Sequence, residues 1–133
     1  MERIKVLLVE PMEKPRVVEI DHDLTSMREL VGGDIACTYP WEELVGLVHC
    51  DDALALGYPL NRMLKDEDGN IYDVVPGAFF LCGLTEDSFG SIPDTLAEKY
   101  SELFRFPEMY MRTMDGHVIC FRVGSDEPPI TIC

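Results

Sequence analysis

The residues best equipped to hold a ligand are Asn61 and Arg62, which follow Gly57-Tyr58-Pro59-Leu60. An asparagine amide offers a donor and an acceptor, and a guanidinium offers a planar fork that matches phosphate or carboxylate. Only 11 of the 133 residues are lysine or arginine, so each cation stands out against an acidic background. Gly32-Gly33 permits close backbone approach to a ligand, and Tyr39, Tyr58 and Tyr72 offer aromatic faces for stacking. Gly32, Gly33, Tyr39, Tyr58, Asn61, Arg62 and Tyr72 therefore form the candidate binding set. The chemistry they fit is capture of a small anionic ligand such as a signalling nucleotide. Each also has a plainer reading: Arg62 paired to the Asp66–Asp68 cluster, and Gly32-Gly33 as a helix stop.

Other chemistries find weaker support. Asp66-Glu67-Asp68-Gly69-Asn70 resembles a calcium loop, but counted from Asp66 the glycine falls at the fourth position and the twelfth is Gly77, where such a loop needs glycine at the sixth and glutamate at the twelfth. A solvated acidic turn accounts for it. His49-Cys50 and His117 with Cys120 are too sparse for a zinc framework. No nucleophile elbow and no phosphate-binding glycine loop is present. The expectation is a protein without metal, cofactor or catalytic residues, a binding protein ahead of an enzyme.

Charge narrows the partners. Lysine and arginine number 11 against 25 aspartates and glutamates, a formal net charge of −14. Such a field repels nucleic acid phosphates and anionic membranes, so direct binding to either is not expected. A small anionic ligand requires local reversal of the field. A basic surface of a partner protein does not, which makes an acidic, DNA-mimicking inhibitor the alternative. A homo-oligomer is left open. No apolar run approaches the roughly 20 residues of a spanning helix. The five cysteines are odd in number and dispersed, as expected of reduced thiols in a cytoplasm.

The elements that must carry these residues are short. Ile4 to Val9 and Arg16 to Ile20 read as a hairpin of strands. Asp23 caps a helix carrying Leu24, Met27, Leu30 and Val31, which Gly32-Gly33 ends. Asp34 to Tyr39, Leu44 to Cys50, Ile71 to Val75, Ala78 to Leu84 and Val118 to Val123 read as further strands, while Gly57 to Lys65 is ambiguous and Tyr58 to Arg62 reads as a loop. A second helix is expected from near Ser91, with Ile92, Leu96, Tyr100, Leu103 and Phe104 on one face. The tail from residue 124 to 133 is unassigned. Hydrophobic residues make up 47% of the chain, enough for a core. About seven strands and two helices predict one α+β domain over residues 1–133, mainly antiparallel sheet with helices packed on it.

Three segments carry a family resemblance: Leu30-Val31-Gly32-Gly33-Asp34-Ile35, then Pro59-Leu60-Asn61-Arg62 with Asp68-Gly69-Asn70-Ile71-Tyr72-Asp73-Val74-Val75-Pro76-Gly77-Ala78-Phe79-Phe80, then Glu98-Lys99-Tyr100-Ser101 with Phe106-Pro107-Glu108. In that order they resemble the domain-of-unknown-function family 3846. The resemblance implies a small accessory protein of a bacteriophage or conjugative element, acting in its bacterial host. It implies no activity and no catalytic residues. Counter-defence follows by analogy with other small acidic proteins of such elements.

Overall fold

The computed structural model describes residues 2–132. Its elements are β1 (Arg3–Val9), β2 (Arg16–Asp21), α1 (Leu24–Val31), β3 (Ile35–Thr38), β4 (Val45–Cys50), β5 (Leu60–Lys65), β6 (Ile71–Pro76), β7 (Phe79–Leu84), β8 (Phe89–Gly90), α2 (Asp94–Leu103), β9 (Glu108–Arg112), β10 (Val118–Arg122) and β11 (Ile130–Thr131). All strand pairings are antiparallel, and the fold is α+β. The main sheet runs β2-β1-β7-β4-β3, with β8 added to β7. A hairpin of β5 and β6 and a three-stranded sheet β11-β10-β9 stand beside it.

The central strands carry apolar runs, Val6–Val9 in β1, Val45–Val48 in β4 and all of β7, because both faces of the sheet are covered there. Alternation along each strand sorts its side chains into two clusters. Leu7, Val9, Val45, Leu47, Phe79 and Leu81 face α2 and the β5–β6 hairpin, packing on Ala97, Tyr100, Phe104, Leu64 and Val75. Ile4, Val6, Leu8, Val48, Phe80 and Cys82 face α1 and pack on Met27 and Val31. Each such leucine, valine or phenylalanine contributes about 1.5–3 kcal/mol of burial.

The caps of α1 match expectation. The Asp23 carboxylate accepts from the Ser26 N–H at 2.7 Å. Gly32 takes the left-handed conformation at φ 82°, and the N–H groups of Gly32 and Gly33 both donate to the Arg28 carbonyl.

Several expectations need correction. Leu60, Asn61 and Arg62, expected in a loop, begin a strand that runs through the ambiguous segment to Lys65. α2 begins at Asp94 and not near Ser91, because Ser91 and Ile92 are extended along β1: the Ser91 hydroxyl accepts from the Lys5 N–H and the Ile92 N–H donates to the Lys5 carbonyl. Leu103 does not join the buried face of α2 and is 53% exposed. Strands β8 and β9 had no reading, and the unassigned tail contains β11, which pairs with β10.

Candidate functional site

The seven predicted residues fall in three places. Asn61 and Arg62 are fully buried, which corrects the reading of an exposed loop. The register of β5 against β6 skips Asn61, passing from Leu60↔Pro76 to Arg62↔Val75. This irregularity lets two consecutive side chains turn into the interior, where a regular strand would send them to opposite faces. Arg62 donates from Nε to the Phe104 carbonyl at 3.1 Å, from one terminal nitrogen to Asn61 Oδ1 at 2.8 Å, and from the other to the Glu13 carbonyl at 2.7 Å. Asn61 Nδ2 donates to the carbonyls of Val9 and Gly77, both at 2.9 Å. The pair thus joins the end of α2, the β1–β2 turn, the end of β1 and the β6–β7 turn. Burial lowers the Arg62 pKa. The fork grips the protein's own carbonyls and not a ligand.

Gly32, Gly33 and Tyr58 form a second, structural cluster. The Tyr58 hydroxyl donates to the Gly32 carbonyl at 2.6 Å, fixing the end of α1 against residues 51–59. A Cβ on Gly32 would meet that hydroxyl at 2.9 Å.

Tyr39 and Tyr72 are exposed and lie on a different feature, a cleft of about 860 Å³ between residues 39–43, the β5–β6 hairpin, the end of α2 and the start of β9. Its aromatic wall is Trp41, which packs on Tyr100 with ring centroids 4.2 Å apart and on Phe104 at 6.1 Å. Phe104 in turn meets Phe79 of the central sheet edge to face at 5.5 Å. The wall is thereby anchored to the core.

Two carboxylates flank the cleft, each held by a phenol and a cation. Glu43 accepts from the Tyr100 hydroxyl and from Lys99 Nζ at 3.0 Å. The Tyr100 hydrogen bond, then that of Lys99, holds its carboxyl below the usual range. Burial, then the Glu43 carboxylate, raises the Tyr100 phenol. Glu108 is 5% exposed. Its Oε1 accepts from the Met63 N–H at 2.8 Å and the Tyr110 hydroxyl at 2.6 Å, and its Oε2 lies 3.3 Å from Arg122 Nε. That Arg122 contact is an ion pair without hydrogen-bond alignment. Burial, then Glu108, raises the Tyr110 phenol, and the same two causes push the Cys120 thiol up to about 11.

The alternation of β9 makes this second group: Glu108 and Tyr110 share one face, opposite Arg122 and Cys120 of β10. Sequence reasoning missed Trp41, Glu43, Glu108, Tyr110 and Arg122. The sole tryptophan beside Pro40 and two glutamates was a usable signal, whereas nothing in Glu108-Met109-Tyr110-Met111-Arg112 marked a strand with a polar inner face.

The lining contains no histidine, serine or cysteine. Among the described residues no three histidine, cysteine, aspartate or glutamate side chains gather as metal ligands. No helix among them is long and apolar enough to cross a membrane. The cleft presents aromatic faces and positioned charge. No curated protein and no solved structure is significantly similar to the chain. The model of one family, Domain of unknown function (DUF3846), matches residues 4–105, which span the main sheet, both helices and the β5–β6 hairpin, and the chain belongs to that family.

Proposed function

We propose that this chain is an accessory binding protein of a bacterial mobile element, a phage or conjugative element, that acts in the host cytoplasm without catalysis and engages a host protein as a counter-defence inhibitor. The observation that carries the reading is the cleft at Trp41: an aromatic wall anchored to the core, open to solvent and rimmed by the exposed rings of Tyr39 and Tyr72. A large cleft with convergent polar groups is the default binding surface of a domain. The chain's net charge of −14 favours a basic protein partner over nucleic acid.

Capture of a small anionic ligand, such as a signalling nucleotide, is the second reading. It is favoured by Lys65, Lys99 and Arg122, which line the same cleft as the aromatic faces. In this reading too the ligand sits at Trp41 and not at Arg62.

The test compares wild type with Tyr39→Ala/Tyr72→Ala in a phage-infection or plasmid-transfer assay, alongside thermal melting. Both tyrosines are more than half exposed, so the melting temperature should hold while activity falls. Full activity in the double variant would remove the cleft from consideration.

A further inference from the structure

We propose that the Trp41 cleft takes a basic segment of its partner, an arginine or lysine side chain lying on the aromatic wall with its charge met by the carboxylates of the rim. The assignment rests on the cleft being the binding surface and names the chemistry of what enters it.

Charge selects the occupant. Five carboxylates line the cleft, those of Glu42, Glu43, Asp66, Glu67 and Glu108, against three cations. Two of those cations are already engaged. Lys99 Nζ is 3.0 Å from Glu43, and Arg122 lies 3.3 Å from Glu108 and 3.2 Å from Glu127. Glu42 and Glu67 stand exposed at the rim. The Tyr72 phenol is raised by burial and then by the negative charges of Asp73 and Asp66, so the field at the rim has the sign that attracts a cation. The same field opposes a phosphate.

The aromatic wall selects further. A metal ion or small inorganic cation has no use for Trp41, Tyr39 and Tyr72, whereas an arginine or lysine stem covers apolar surface while its head stays polar. The protein's own Lys99 displays the arrangement: its ammonium bonds Glu43 and lies 5.5 Å from the Tyr100 ring centroid. Arg105 repeats the cation-on-ring contact at Phe106, 4.5 Å from the centroid. A volume of about 860 Å³ exceeds one side chain and accommodates a short stretch of partner backbone.

Trp41 is the chain's single tryptophan, so its emission reports on the site. The experiment titrates the intact protein with a short arginine-glycine peptide, a glutamate-glycine peptide of equal length, and adenosine and guanosine nucleotides. Expected is a saturable change in Trp41 emission with the arginine peptide alone, with affinity falling roughly tenfold or more from low to high salt. Glu42→Gln/Glu67→Gln should weaken it at least roughly fivefold, as loss of two facing charges predicts. Glu19→Gln/Glu29→Gln removes the same charge from exposed positions on β2 and α1 and should leave affinity within about twofold of wild type, since those sites lie on other elements. Equal weakening by both pairs would reduce the binding to general attraction and overturn the proposal. A response to nucleotides without one to the arginine peptide would overturn the basic occupant and leave the cleft as the binding surface. Silence toward every probe, with full activity of Tyr39→Ala/Tyr72→Ala in cells, would overturn both.

Discussion

Arg62 donates to the side-chain oxygen of its neighbour Asn61 at 2.8 Å, inside the core and beyond the reach of solvent. Adjacent strand residues rarely meet this way, because the pleat sends them to opposite faces. The irregular register at Asn61 makes the contact, and the contact orients both side chains toward carbonyls at the end of β1, the β1–β2 turn, the β6–β7 turn and the end of α2.

Those carbonyls set the expected cost of disrupting the pair. Asn61→Ala leaves the Val9 and Gly77 carbonyls without their donor and should destabilise by about 1–3 kcal/mol. Arg62→Lys keeps the charge but cannot reach the Phe104, Asn61 and Glu13 oxygens together, and should cost on the order of 2–4 kcal/mol. Urea denaturation measures both. Wild-type stability in either variant would show that the pair is not structural.

The parts of this fold legible in sequence are those where local chemistry and tertiary packing agree. Val6-Leu7-Leu8-Val9 and Phe79-Phe80-Leu81-Cys82 are strands in either frame of reference, and Asp23 with Gly32 bounds α1 by capping alone. Asn61-Arg62 was misplaced because a solvent-facing turn and an inward bulge use the same polar residues. Their burial is decided by carbonyls at Glu13 and Phe104, both more than 40 positions away. Leu103 has helical spacing with Leu96, but α2 ends there and the chain turns Phe104 into the core instead. Of the candidate site, only Tyr39 and Tyr72 were found. The carboxylates that matter, Glu43 and Glu108, are distinguished by partners in other elements or on the same strand face, which composition does not reveal.

Gly32 and Tyr58 should be energetically coupled. A methyl at Gly32 meets the Tyr58 hydroxyl at 2.9 Å and sits on backbone at φ 82°, so Gly32→Ala should cost on the order of 1–3 kcal/mol. Tyr58→Phe loses one hydrogen bond, worth about 1 kcal/mol. The double variant should cost less than the two together, because removing the hydroxyl relieves the clash. Strict additivity in a double-mutant cycle would mean that the strain lies in the backbone alone.

The thiols should react in order of access. Cys37 is part-buried, while Cys50, Cys82 and Cys120 are buried and all four are unpaired. Burial pushes the Cys82 thiol up to about 12, so it carries little thiolate at neutral pH. Brief alkylation of the native protein, read site by site in a mass spectrometer, should modify Cys37 well ahead of Cys82 and Cys120. Cys133 lies outside the described residues. Early modification of Cys82 would indicate that the main sheet opens locally.

Stability should fall on the alkaline side. Burial raises Cys120 to about 11 and Cys82 to about 12 from an ordinary thiol value of 9.0. Burial and a neighbouring carboxylate raise the phenols of Tyr100 and Tyr110 above their ordinary 10.0. The folded chain therefore keeps protons that the unfolded chain releases. The stability these groups contribute is complete below pH 9.0 and is lost as pH climbs through the thiol window and then above 10.0. Thermal midpoints measured from about pH 8 to about pH 11 should decline, with the slope steepening as the phenols of the unfolded state ionise. Tyr110→Phe should lower the midpoint at neutral pH, because Glu108 loses a donor worth about 1 kcal/mol. The same variant should flatten the alkaline slope, since one raised phenol is gone. A midpoint that holds or rises over that range, or a slope unchanged in Tyr110→Phe, would mean that Tyr110 is not shielded beside Glu108 in the folded chain.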